Sequence, residues 1–230
     1  LNKIKILKKF IEEKRKMKED VQEHENKEEE KKKKEQEKNE IEIEQIDEVI
    51  SALTASLRTY ASTFQPKIQT LQNPAKQLAE SLFGSMPLLV GSILTRPVIR
   101  RWQMQFEQNA KVMTAVDQLP SGLYTTLEGL SFPAQLAGQL KVIQIRSAWD
   151  DELVASAHNV YHSLLKKHRF DVEDVLQARS SSLLSEIFEL MLLGDYTSYY
   201  LALLRGVDPS STPNMIEVQQ LRAAESIAAS

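Results

Sequence analysis

The chain has no cysteine among its 230 residues. That excludes disulfides and thiolate metal sites, and it fits a reducing, cytoplasmic setting. It has no large charge excess, the formal net charge being -3. Neither nucleic acid nor an anionic membrane is therefore expected as a partner. Long apolar runs are also missing. The richest stretch, Leu190 to Pro209, is interrupted by Gly194, Asp195 and Arg205. A membrane span of about 20 apolar residues is not expected from it. The apolar patch from Ile4 to Ile11 is broken by lysines, so no secretory signal is read there. No glycine-rich phosphate loop of the dinucleotide or P-loop type occurs. No G-x-S-x-G occurs either, and the residue order assigns no Ser–His–acid arrangement. The first residue is Leu rather than Met, as a fragment or a processed chain would show.

What remains is close to an ordinary soluble globular composition, 42% hydrophobic and 27% charged. The length permits one large domain or two small ones. About half of the charged residues fall within the first 50. Glu25 to Glu40 contains no apolar residue; it reads as a solvated helix held by Glu–Lys pairs four apart, or as a disordered segment. Ile4, Leu7, Ile11, Met17 and Val21 make a weak amphipathic start that stops at Val21, too short for a long coiled coil. The expected organisation is a charged segment over 1–45, a linker helix and loop over 46–72, and one domain over 73–230.

From Ile41 the pattern changes. Ile43, Ile46, Ile50, Leu53 and Leu57 follow helical spacing, and that helix is expected to end between Tyr60 and Phe64, before Pro66. Asn73 and Pro74 suit the cap and first turn of a helix that Gly84 closes. Met86–Gly91, Val112–Val116 and Lys141–Arg146 are short apolar runs read as strands, with a fourth near Phe170–Leu176. Helices are expected between them, one opening on Asp150 and Asp151 and closing on Lys166, Lys167 and His168, where the charges suit the helix dipole. A long helix through Leu204 and a last one from about Pro213 complete the chain. Continuous apolar strands alternating with helices predict a parallel sheet covered on both faces, an αβα sandwich.

In such sheets ligands sit beyond the carboxyl ends of the strands. Gly91 and Ser92 precede a helix there, so their N–H groups are candidates to meet an anion; a plain strand-to-helix turn is the alternative. Glu128, in the loop after the second strand, is a candidate general base, or else a surface residue at a helix start. His158 and His162 stand four apart on a helix, but no third ligand is in sight, so a metal is not expected.

Three stretches together, "NPAKQLAESLFGSMPLLVGS", "RRWQMQFEQNAK" and "LLGDYTSYYLALLRGVDP", resemble the C-terminal half of the bifunctional phosphoglucose/phosphomannose isomerases of the sugar isomerase (SIS) superfamily. The resemblance runs from about Ile46 to Leu221. It implies an αβα domain around a five-stranded parallel sheet, a homodimer, a sugar phosphate as partner and no cofactor. The implied reaction interconverts glucose 6-phosphate or mannose 6-phosphate with fructose 6-phosphate through an enediol. The family's catalytic Glu falls on Thr126, and Leu123, Tyr124 and Thr125 replace its Asn-His-Asn. No His occurs from Met113 to Ala157, where the family has one. Thr212 and Pro213 match its Thr-Pro, which marks Thr212 as a substrate-binding candidate. Its later Lys falls on Gln219 or Gln220. The long helix is expected between domains or subunits, with Gly194 admitting another backbone and Asp195, Tyr196, Thr197, Ser198 and Tyr199 supplying the contact. The alternative expectation is a domain that binds a sugar phosphate or dimerises without catalysis.

Overall fold

The computed structural model describes residues 46–130, 132–176 and 182–228. The expectations for residues 1–45 lie outside that range. The chain divides into two compact units, Leu1–Thr54 and Ala55–Ser230.

The first helix, α1, covers residues 46–62, ending where Pro66 makes further helix impossible. Phe64 follows it and is fully buried, although it lies in the stretch read as a linker. α2 (Pro74–Leu82) starts as expected, with the Asn73 side chain accepting from Lys76 N at 3.1 Å and Pro74 in its first turn. β1 is Met86–Gly91, α3 Arg96–Gln108, β2 Ala115–Gln118, α4 Thr126–Gly129 and β3 Leu140–Arg146. α5 (Glu152–Lys167), β4 (Asp171–Leu176), α6 (Leu183–Leu204) and α7 (Pro213–Ala228) complete the order. Asp151 caps α5 through Val154 N, and Ser182 caps α6 through Ser185 N.

The four strands are all parallel, in the order β2-β1-β3-β4. The family resemblance implies five; the described residues form four. β1 and β3, in the middle, are buried almost throughout, which is why they read as unbroken apolar runs. α2, α3 and α6 cover one face, packing on Leu89, Ile143 and Ile145. α5 covers the other, over Leu88, Val90, Val142 and Val172. α7 exposes Met215, Ile216, Val218 and Leu221.

β2 lies three residues later than the apolar run Val112–Val116 suggested. Lys111 takes a left-handed φ of 57°, and Val112 N bonds back to Phe106 O. Residues 112–114 carry the chain from α3 to the sheet, and pairing with β1 begins at Ala115 opposite Leu88.

Candidate functional site at the carboxyl edge of the sheet

The strand order changes direction between β1 and β3, so their carboxyl ends flank the crevice where ligands of open parallel sheets bind. Three chain segments border that edge: the turn after β1, the loop after β2 and the loop after β3.

The turn after β1 is closed on itself. Ser92 N donates to Thr95 Oγ1 at 2.8 Å, and the N–H groups of Leu94 and Thr95 donate to Ser92 Oγ at 3.2 and 3.3 Å. Thr95 Oγ1 donates in turn to Ile145 O at 3.0 Å, tying the turn to β3. Ser92 and Thr95 are fully buried. Gly91 is required by the same knot, because a Cβ there would lie 2.5 Å from Thr95 Oγ1. Of the two N–H groups expected to meet an anion, that of Ser92 thus already has a partner inside the protein.

The loop after β2 is anchored by Leu119, whose N–H bonds Gly91 O at 2.8 Å. Asp117 accepts from Gln118 N at 2.8 Å and from the Tyr161 hydroxyl at 3.2 Å. Burial, and then the Asp117 charge, push the Tyr161 pKa upward, so the phenol stays a donor. Gly122 sits over this carboxylate; its missing Cβ would fall 2.1 Å from Asp117 Oδ2. Thr126 and Glu128 follow on α4, Thr126 half-buried and Glu128 exposed. In the loop after β3, Asp150 accepts from Ser147 N, Ser147 Oγ from Trp149 N, and both oxygens of the buried Glu186 from Ala148 N at 3.2 Å.

Beneath α5 the sheet carries a polar row that periodicity alone does not reveal. Strand register sets Asp117, Val90, Gln144 and Asp174 side by side. Gln144 donates to Asp174 at 2.8 Å and turns its oxygen to His158 Nδ1, 3.0 Å away. That network places the proton on Nδ1 and leaves His158 Nε2 buried with no hydrogen-bond partner among the described residues. Burial, helped by Arg146, lowers the His158 pKa to about 4. His162 turns instead to Asp174, at 3.2 Å. The two histidines do not converge, and among the described residues no cluster of three His, Asp or Glu is placed to hold a metal.

The remaining expected site residues lie elsewhere. Thr212 lines a cavity of ≈ 300 Å³ with Glu107, Gln108 and Lys111, at the end of α3 remote from Gly91. A 13-residue helix spans about 20 Å, so Thr212 and the β1 turn do not meet within one chain. Gly194 faces Trp102 of the same domain: a Cβ there would be 2.1 Å from the indole Nε1, which donates to Leu190 O at 2.8 Å. Within this chain, what approaches Gly194 is the Trp102 side chain. Asp195 receives a two-pronged bond from Arg101, at 3.0 and 2.7 Å, and raises its pKa. Ser198 accepts from Asn109 at 2.9 Å, and Thr197 donates to Leu193 O. Tyr196 and Tyr200 pack near Phe64, while Tyr199 stays 42% exposed. The polar notch of α6 faces α3.

Residues 71–221 match the family described as the bacterial phospho-glucose isomerase C-terminal SIS domain. The chain belongs to that family. A bifunctional phosphoglucose/phosphomannose isomerase of Caldicellulosiruptor bescii is 26% identical over 184 residues, 80% of this chain and 54% of its own. The enzyme of that name from Thermoplasma volcanium is 31% identical over 136 residues, 58% of this chain and 42% of its own. The crystal structure of a glucose-6-phosphate isomerase like protein from Thermus thermophilus superposes with a TM-score of 0.61 at 28% identity, covering 72% of this chain and 55% of that one. The chain spans about half the length of the curated relatives it matches.

Proposed function

We propose that this chain carries the C-terminal half of an aldose–ketose isomerase acting on glucose 6-phosphate, mannose 6-phosphate and fructose 6-phosphate. The family match over residues 71–221 carries that reading. The reaction moves a proton between C1 and C2 through an enediol, which calls for a carboxylate at the sugar carbon and no cofactor. A threonine hydroxyl is a poor base at neutral pH, so Thr126 does not take the family's role; Glu128, exposed on α4 two residues later, is the proposed substitute. Gly91, Ser92 and Thr212 remain the proposed substrate contacts of the resemblance. A cytoplasmic homodimer contacting through Tyr199 and its neighbours belongs to the same proposal. No helix among the described residues is long and apolar enough to cross a membrane.

One observation favours a second reading, a domain that binds sugar phosphate or dimerises without turnover. The N–H groups of Ser92, Leu94 and Thr95 are spent on Ser92 and Thr95 side chains, which leaves the β1 turn poor in donors for a phosphate. A coupled assay from fructose 6-phosphate to both aldose phosphates separates the two. Turnover by the purified chain, lost in Glu128→Gln, is the outcome expected of an isomerase with a relocated base. A folded chain without turnover overturns the reading of an autonomous enzyme. Unchanged turnover in the variant removes Glu128 from the chemistry.

A further inference from the structure

A phosphate at the carboxyl edge needs cationic side chains, because the β1 turn has spent the N–H groups of Ser92, Leu94 and Thr95 on its own hydroxyls. Two nearby arginines are already taken. Arg146, at the end of β3, bonds Asp174 at 3.4 Å and Ala155 O at 3.5 Å. Arg101, on α3, is held by both oxygens of Asp195. Arg96 and Arg100 differ. Both are exposed. Among the described residues the Arg96 side chain makes no hydrogen bond or ion pair, and Arg100 bonds only Gln103 of its own helix, at 3.0 Å.

Their placement runs against the physics of the helix. Arg96 is the first residue of α3 and Arg100 the fifth. The amino end of a helix favours acids and its carboxyl end bases, yet α3 has no acid in its first turn and no base in its last. Its one acid, Glu107, stands near the far end and is reached only through the Gln103 amide, at 3.3 Å. Residues four apart are neighbours on one helix face, so the two guanidiniums also repel each other. A local rule broken without a compensating contact inside the fold is the mark of a functional site.

An anion supplies that compensation. Arg96 follows directly on the Gly91–Thr95 turn, at the end of the sheet where ligands of open parallel folds bind. Positions four apart rise about 6 Å along the helix, within reach of one tetrahedral group for two long side chains. A guanidinium fork matches phosphate oxygens two at a time, and a phosphate monoester offers three.

We infer that Arg96 and Arg100 form a clamp for the phosphate group of the sugar phosphate, which the β1 turn lacks the donors to hold. The clamp rests on the sugar-phosphate reading for the identity of its ligand.

Isothermal titration of the full-length chain tests it, with glucose 6-phosphate and inorganic phosphate as probes. Arg96→Gln or Arg100→Gln alone is expected to weaken both about tenfold, and the double variant about a hundredfold. Arg96→Lys/Arg100→Lys keeps the charge but loses the fork, and should fall between parent and double Gln variant. Arg58→Gln/Arg222→Gln removes the same charge from exposed positions on α1 and α7 and should leave both affinities within about twofold at physiological salt. Arg96→Gln/Arg100→Gln should melt at or above the parent's temperature, because a repulsion is removed. Glucose 6-phosphate bound equally by parent and double Gln variant overturns the clamp and leaves the sugar-phosphate reading standing. Binding of neither probe also overturns the clamp, and the turnover assay then decides the isomerase reading by itself. An equal loss in Arg58→Gln/Arg222→Gln, or a lowered melting temperature in Arg96→Gln/Arg100→Gln, overturns it in favour of a general charge effect or a structural role.

Discussion

Replacing Gly194 by alanine tests the account of the α3–α6 contact. The added methyl carbon would lie 2.1 Å from Trp102 Nε1, 2.2 Å from Cδ1 and 2.4 Å from Cε2. Ordinary contact between such atoms is about 3.5–4.0 Å, so the two helices must separate by more than an ångström. Trp102 is fully buried in the core cluster, and protein interiors are close-packed. Overpacking of that kind costs about 1–3 kcal/mol. Pulling the indole N–H from Leu190 O leaves a buried donor unpaired, at about 1–3 kcal/mol more. Alanine returns up to about 1 kcal/mol through its better helix propensity. The expected net loss is about 3 kcal/mol, a substantial part of a typical domain's stability. Urea unfolding followed by tryptophan fluorescence measures it, with Trp149→Phe as background because the chain has two tryptophans. In Trp102→Ala the methyl has room, so the added cost of Gly194→Ala should largely disappear. A Gly194→Ala midpoint equal to or above that of the parent refutes the packing argument.

The other perturbations act on the carboxyl edge. Thr95→Val removes an oxygen that accepts from Ser92 N and donates to Ile145 O, both buried; a loss of about 2–3 kcal/mol is expected, and Thr95→Ser should retain most of it, as urea midpoints will show. His158 has a folded pKa of about 4 against an unfolded value of about 6.5. The unfolded chain therefore takes up the proton first as pH falls. Its contribution is flat above about pH 6.5, and stability drops by roughly 3 kcal/mol between there and pH 4. His158→Gln should lose that slope in unfolding curves taken across the window; an unchanged slope excludes His158 as its source. Gly122→Ala drives a methyl into the Asp117 carboxylate, so amide exchange in residues 119–130 should quicken, while Gly129→Ala, with open space around it, should leave exchange unaltered.

Much of this fold was legible because local chemistry and tertiary structure agree. Asn73 with Pro74, and Asp151, mark helix starts that backbone donors alone require. The apolar runs at Met86–Gly91 and Lys141–Arg146 read as buried strands because both of their faces are covered. β2 does not stand out in the sequence because an edge strand, half-buried throughout, lacks such a run. The family was legible from motifs spread along the chain, most of all from the glycine and polar residues of α6.

Partnership was not legible, because it depends on which strands and helices become neighbours. Asp195 stands 94 positions from Arg101, and Trp102 reaches Leu190 across 88. The polar row of Asp117, Gln144 and Asp174 exists only once strand register is set, since no spacing along the chain links its members. The turn at Gly91–Thr95 shows the division most clearly. Its residue types suit an anion site as well as a self-capped turn. Only the fold shows the self-capped knot, because burial beside Ile145 leaves the Ser92 and Thr95 side chains no water to bond, so they bond one another.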